Sequence, residues 1–181
     1  MKRPRLVREI VELIAITLVL FLVVHFTMQA YQVNDDSMQN TLQSGQNVLV
    51  NRVAYLFHGP ERGDLVVLSD PTNPSHTLLR RVVAIPGDVI ALDSTTITVD
   101  GVQLNEPYAQ QKFNPGAETT HIQPGQYYVL PDNRLSSNAD SRYFGPVAGN
   151  LIIGKAVLVY WPLNQWHTMD TYPSVFSALK K

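Results

Sequence analysis

The amino-acid sequence predicts a mainly β protein: one N-terminal transmembrane helix, then an outer domain of antiparallel β-sheets with a small β insertion. Three observations lead there. Residues 10–28 form one long apolar run near the N-terminus. Beyond it, short runs of aliphatic and β-branched residues recur, each closed by Gly, Pro, Asn or Asp, as strands between turns are. No later stretch carries the 3.6-residue periodicity of a long helix, which leaves an all-β outer domain.

The apolar run is preceded by Lys2, Arg3, Arg5 and Arg8, and between Ile10 and Phe26 only Glu12, Thr17 and His25 interrupt it. At ~1.5 Å per residue a helix over residues 10–28 spans about the ~30 Å hydrocarbon layer. Glu12 and His25 fall near its ends, where polar groups reach the interface. A cleaved signal peptide would have a shorter apolar region and a small-residue site, and Thr27-Met28-Gln29-Ala30 matches such a site poorly. The excess of cations before the run places residues 1–9 in the cytoplasm. The expected organisation is a cytoplasmic segment 1–9, a single-pass anchor 10–28 in the cell membrane, and an extracellular β domain 31–181.

Composition bounds the rest. The 181 residues suffice for one domain with a real core. The formal net charge of −1 and the lack of a basic stripe argue against nucleic acid as a partner. There is no cysteine, hence no disulfide framework and no thiolate metal site. The histidines (His25, His58, His76, His121 and His167) are scattered without an i, i+4 pair, so neither metal nor cofactor is expected.

Along the outer domain, the polar stretch 34–42 follows the anchor and 43–47 is turn material. Val48-Leu49-Val50 opens a strand, residues 65–68 and 77–85 are further strands, and Pro86-Gly87 ends the latter. Residues 89–92 are extended. Alternating runs flank Asp100-Gly101, which suits a tight hairpin needing positive φ. Residues 106–123 read as polar and irregular, and 93–126 as an inserted small β subdomain. Residues 127–130 and 152–161 are strands around a long polar loop, 131–145. The tail is weakly helical at best.

Two arginines stand side by side in the apolar strand Leu78-Leu79-Arg80-Arg81-Val82-Val83. Successive strand residues point to opposite faces, so Arg80 and Arg81 have different tasks. A buried strand that carries cations either pairs them with carboxylates or uses them. The polar stretches 34–42 and 131–145, crowded with Ser, Asp, Asn and Arg, are the candidate partners.

These segments together resemble the type I signal peptidases of bacteria, membrane-anchored serine endopeptidases with a Ser/Lys dyad. Asp36-Ser37-Met38-Gln39-Asn40-Thr41-Leu42 is similar to the nucleophile box, usually Ser-Met-x-Pro-Thr-Leu. Gly63-Asp64-Leu65-Val66-Val67, then Arg81-Val82-Val83-Ala84-Ile85-Pro86-Gly87-Asp88, match the next two boxes in order. Asp132-Asn133-Arg134, Asp140-Ser141-Arg142 and Phe144-Gly145 match the Gly-Asp-Asn-Arg…Ser-x-Asp-Ser-Arg box, and Ile153-Gly154-Lys155-Ala156 the strand after it. The resemblance implies antiparallel β-sheets, Ser37 as nucleophile, and exported pre-proteins, cut after small residues, as substrates.

The match breaks at the base. The family's general-base lysine immediately precedes the box that begins at Arg81, and that position is Arg80. A serine hydroxyl needs a base to take its proton. Lysine can be tuned to a pKa of ~7–8, whereas neutralising an arginine at pH 7 would cost about 8 kcal/mol at ~1.36 kcal/mol per unit. Arg80 is therefore not expected to act as a base. Asp35 stands beside the implied oxyanion hole, where the family has Gly, Ser or Thr; a carboxylate there repels a developing oxyanion. Asn40 replaces proline and Pro131 replaces glycine. Asn138 falls where a serine helps hold the lysine amine, although Ser137 could bulge into its place.

The expectation is an ion pair of Arg80 with Asp35 or Asp36 in the former catalytic cleft. His76, four residues before Arg80, is about 13 Å away at ~3.3 Å per residue, and His121 remains open as a substitute base. Two functions follow: removal of signal peptides by serine chemistry, or a catalytically impaired relative that binds or chaperones exported surface proteins.

Overall fold

In the computed structural model, residues 3–109, 116–136 and 139–179 are described. The chain opens with helix α1 (Arg3–Thr27), whose segment Val7–Thr27 is long and apolar enough to cross a membrane; Arg52 N donates to Thr27 O at its end. Among the described residues eleven strands and one short helix follow: β1 (Met28–Gln32), β2 (Asn47–Asn51), β3 (Leu65–Ser69), β4 (Thr77–Ala84), β5 (Val89–Leu92), β6 (Ile97–Val99), β7 (Val102–Gln103), β8 (Glu118–His121), β9 (Gln126–Leu130), α2 (Ser141–Phe144), β10 (Val147–Ala148) and β11 (Ile152–Trp161). A two-residue strand β12 (His167–Thr168) and the short helix α3 (Pro173–Phe176) close the chain. The fold is mainly β, as expected.

The main sheet has the order β1-β2-β11-β3-β4-β9-β10, with β12 added to β11, and its pairings are antiparallel. The smaller sheet, β7-β6-β5-β8, spans residues 89–121. Its Asp100-Gly101 turn takes positive φ at both residues (50° and 77°), the conformation that lets a two-residue loop follow the twist of its strands.

Strand β4 organises the domain. It is flanked by β3 and, from Arg81, by β9, and apolar clusters cover both its faces, so Leu78 through Ala84 are buried. That explains its aliphatic residues on either side of Arg80 and Arg81. One apolar cluster joins the two sheets through Val83, Ile90, Val99 and Tyr128. A second lies under the start of the β domain and holds Val33, Met38, Leu42, Leu65 and Leu79.

Three segments differ from the sequence reading. Met28 begins β1 rather than ending the helix, because Met28 pairs with Asn51 across the β1–β2 ladder. Residues 118–121, expected to be irregular, form β8 by pairing with β5. The polar loop 131–145 contains α2, capped by Asp140, whose side chain accepts from the Arg142 N–H.

Candidate active site

The site forms where the turn after β1 meets β4 and the loop after β9. The turn is built by its backbone: Asp36 O accepts from Gln39 N at 3.1 Å, and Met38 O accepts from Leu42 N at 2.8 Å. Asn40 closes it with φ 83°, a left-handed conformation that asparagine tolerates and proline, fixed near −65°, cannot adopt. The departure from the family's proline is thus written into the backbone. Met38 and Leu42 point into the core and carry Ser37 with them, so that Ser37 is only 1% exposed.

The loop after β9 clamps this turn. Asn133 N donates to Ser37 O at 2.9 Å, and Asn133 Nδ2 to Asp36 O at 3.1 Å. Thr41 donates its hydroxyl to Asp132. Asp132 in turn accepts from Arg81 Nε at 2.9 Å and Nη2 at 2.7 Å, in a fork-on-carboxylate pair with both side chains fully buried. Arg81 Nη1 donates to Gly63 O and Asp170 O, and the guanidinium lies 4.2 Å from the Tyr108 ring centroid and 5.1 Å from that of Tyr172. Burial works against the Arg81 charge, but Asp132 outweighs it and raises the pKa. Arg81 is a scaffold residue.

Arg80, on the opposite face of β4, meets Ser37. Its Nη1 donates to Ser37 Oγ at 2.8 Å and to Leu79 O at 2.6 Å, and its Nε to Ala139 O at 2.9 Å. Ser37 Oγ donates to Asp35 Oδ1 at 2.6 Å, and Ser37 N donates to the same oxygen at 3.0 Å. The expected direct pairing of Arg80 with Asp35 or Asp36 does not form. Instead the Ser37 hydroxyl sits between the guanidinium and the Asp35 carboxylate, and Asp35 and Asp36 themselves lie exposed. Burial pulls the Arg80 pKa down from its ordinary value, while Asp35 and Asp140 push it back up. An arginine remains a cation under that opposition.

The Ser37 hydroxyl therefore has its proton on a carboxylate and its lone pair on a cation. Its N–H, a natural donor to a developing oxyanion, is turned toward Asp35. The same arrangement recurs elsewhere in the chain: Thr72 donates both N–H and hydroxyl to Asp70 Oδ1, at 2.8 and 2.7 Å, in a loop remote in sequence from this turn. The Asp35–Ser37 contact is thus a local side-chain turn, as Asp-x-Ser/Thr sequences form readily.

Asp140 accepts from Arg142 through Nε at 2.9 Å and Nη2 at 2.6 Å, and so fixes the loop whose Ala139 carbonyl holds Arg80. Ser137 and Asn138, the candidates to stand beside the base position, lie outside the described residues. Among the described residues Lys155 is the one lysine, and its amine is 2.5 Å from Asp64. His76 lies exposed beside Asn73, and His121 lies exposed on β8 opposite Val89.

The sequence reading gave Glu106, Tyr108 and Arg134 no partners. Arg134 Nη2 donates to Glu106 at 2.6 Å, Tyr108 donates to the same Glu106 oxygen at 2.9 Å, and Arg134 Nε donates to Pro131 O at 2.7 Å. This buried network stiffens the loop that clamps Ser37. Its one sequence signal was Arg134 beside Asp132, which says that a carboxylate is needed but not which.

Matches to known proteins identify the family. Residues 6–161 match the family described as "Signal peptidase, peptidase S26". Signal peptidase I of Bacillus caldolyticus is 37% identical over 155 residues, covering 78% of this chain and 84% of that protein. The probable signal peptidase I-1 of Synechocystis is 29% identical over 177 residues, covering 93% and 90%. Signal peptidase IB of Staphylococcus aureus is 29% identical over 182 residues, covering 91% and 94%. A solved signal peptidase I from Enterococcus faecalis shares 27% identity, with a TM-score of 0.47, over 53% of this chain and 95% of that one. With the family match spanning most of its length, this chain belongs to the signal peptidase family, peptidase S26.

Proposed function

We propose that this protein is a membrane-anchored member of its family in which ordinary serine hydrolysis is impaired, and which binds extended segments of exported pre-proteins at the former catalytic site. One observation carries the reading: the Ser37 hydroxyl is held between Arg80 Nη1 (2.8 Å) and Asp35 Oδ1 (2.6 Å). A guanidinium in the base position takes no proton, and it lowers the basicity of the oxygen it touches. In this reading Ser37 keeps the nucleophile's position without its chemistry. Arg80, Asp35, Asp140 and Arg142 fix the former cleft, Met38 roots the turn, and Arg81 with Asp132 forms the frame. No cofactor or metal takes part. Residues 1–9 lie in the cytoplasm, the anchor crosses the cell membrane, and the β domain with its insertion faces outward.

Support for peptide binding comes from the edges of β1 and β4, which Tyr31 brings together by donating its hydroxyl to Thr77 O at 3.3 Å, with Arg80 of β4 on Ser37. Among the described residues β1 pairs with β2 alone, which leaves its other edge without a strand. Among the described residues β9 pairs with β4 from Arg81 onward, so residues 77–80 have no strand partner on that side. Open edges take up extended chains by main-chain hydrogen bonds.

The test is cleavage of a pre-protein with small residues before the cut, by the full-length protein in detergent. Wild type and Ser37→Ala are expected to show the same absence of cleavage, while both retain the peptide. Cleavage by wild type that is lost in Ser37→Ala overturns the reading. A second reading is favoured by the 2.6 Å Ser37–Asp35 contact, with Asp35 as base. In that case Asp35→Asn abolishes wild-type cleavage.

A further inference from the structure

A weak helix is all that the sequence suggests after β12, but the structure ties residues 169–179 to the domain at four places. Met169 N donates to Val157 O at 3.0 Å, and the Met169 side chain packs against the apolar cluster that holds Met38 and Leu42. Asp170 O accepts from Arg81 Nη1 at 2.9 Å. The Tyr172 ring centroid lies 5.1 Å from the Arg81 guanidinium and 5.0 Å from the Tyr108 ring. Phe176 and Leu179 are buried in the cluster that joins the two sheets. The segment therefore runs from the core under Ser37 to the core between the sheets, and it meets Arg81 on the way.

Two residues are fitted to this path. Gly63 has φ 91°, and a Cβ there would overlap the Thr171 carbonyl oxygen and crowd the Phe176 ring. The glycine of the Gly-Asp pair thus has a packing reason: the segment passes directly over it. Tyr172 has φ 49°, and its N–H donates to Asp170 Oδ1 at 2.7 Å. A left-handed tyrosine persists only where its surroundings fix it. Here they are the Asp170 turn and the Arg81 guanidinium under its ring. Helix α3 borders two clefts, of about 470 and 380 Å³, so the segment is held at particular contacts rather than along its length.

From Arg81 the contacts run on to Ser37. Arg81 clamps Asp132 with two hydrogen bonds, Asp132 accepts from the Thr41 hydroxyl, and Asn133 N donates to Ser37 O. We propose that residues 169–179 are a strap that positions the Ser37 turn, by way of Arg81 and Asp132 on one route and by way of Met169 against the Met38 cluster on the other. The strap goes beyond the function proposed above, since it acts whether the site cleaves or only binds. Loosening it opens the Ser37 turn locally while the sheets stay paired.

The absence of cysteine makes the test direct. Ser37→Cys puts a thiol at a buried position of the turn. Val147→Cys puts one at a buried position in a third apolar cluster, which none of residues 169–179 joins. Alkylation of each by iodoacetamide, in the full chain purified in detergent, reads local opening. Tyr172→Ala should raise the rate at position 37 at least about fivefold, the size expected when a desolvated cation–π contact is lost, and leave that at 147 within about twofold. Tyr172→Phe keeps the ring and should leave both rates unchanged. Phe176→Ser unties the far end and should raise the rate at 37 selectively as well. An unchanged rate at 37 in Tyr172→Ala overturns the strap. Rates that rise equally at 37 and 147 in that variant also overturn it, because the segment then stabilises the whole domain and positions nothing. Tyr172→Phe as fast at 37 as Tyr172→Ala overturns the role of the ring. A rise in Tyr172→Ala without a selective one in Phe176→Ser overturns the part assigned to α3. The readout needs neither substrate nor cleavage, so it fails separately from the proposed function.

Discussion

Replacing Asp132 with alanine is the sharpest test of how the site is held. Asp132 and Arg81 are both fully buried, and Asp132 takes two of the four hydrogen bonds that Arg81 donates, at 2.9 and 2.7 Å. The substitution removes those two and the Thr41 contact. It leaves a cation in the core with two carbonyls, Gly63 O and Asp170 O, and two aromatic faces. Truncating one partner of a buried pair costs about 3–5 kcal/mol, mostly from the charge left behind. The remaining carbonyls and the tyrosine rings place the expected loss toward ~3 kcal/mol. Urea unfolding of the full chain in detergent measures it. The diagnostic comparison is the double variant Arg81→Met with Asp132→Leu, which removes the stranded charge and should be more stable than Asp132→Ala alone. A loss under about 1 kcal/mol in Asp132→Ala, or a double variant no better than the single one, would refute the idea that the frame of the site is a desolvated ion pair.

Two further outcomes follow from local geometry. Asn40 has φ 83°; restoring the family's proline should therefore destabilise by about 3 kcal/mol or more, while Asn40→Gly should be neutral or stabilise by up to ~1 kcal/mol. Thermal melts of the two variants check this, and a stabilising proline would contradict it. Asp70 is the second case. Burial opposes its charge, but hydrogen bonds from the Thr72 hydroxyl, Thr72 N–H and Asn73 N–H prevail and hold its pKa below the ordinary carboxylate value. A depressed folded-state pKa contributes stability in full above the unfolded value of about 4, and that contribution is lost as the pH falls through the lower folded value. Asp70→Asn should thus destabilise at neutral pH and make little difference in strong acid; an equal effect at both would exclude the linkage.

What was legible in the sequence was whatever short-range chemistry determines. The apolar run of α1, the aliphatic strand β4 and the Asp100-Gly101 hairpin are each local, and each is found. The opposed tasks of Arg80 and Arg81 followed from strand alternation alone. β1 was missed because Met-Gln-Ala-Tyr-Gln has no apolar alternation; it is a strand because β2 pairs with it. β8 was missed for the same reason, since Glu118, Thr119 and His121 are exposed and only the ladder to β5 makes them extended. The buried Arg134–Glu106 pair joins residues 28 apart through the core, a choice of partner that tertiary structure makes. The expected Arg80–Asp35 pair failed at a finer grain. Proximity was right, but an Asp two residues before a Ser satisfies that Ser first.

The last point bears on what it would take to reverse the impairment proposed above. Arg80→Lys alone supplies an amine but leaves Asp35 holding both the hydroxyl and the N–H of Ser37. A lysine beside that carboxylate is held charged, the wrong state for a base. The N–H needed for an oxyanion stays committed. Asp35→Ser alone frees the N–H but leaves a guanidinium on Oγ. In the proposed reading Arg80 and Asp35 oppose catalysis by independent routes, one at the proton and one at the oxyanion, yet both contact the same Ser37 oxygen. Asp35→Ser with Arg80→Lys should therefore yield cleavage where neither single variant does, a coupling far from additive. Full activity from Arg80→Lys alone would mean that Asp35 is a turn residue and nothing more.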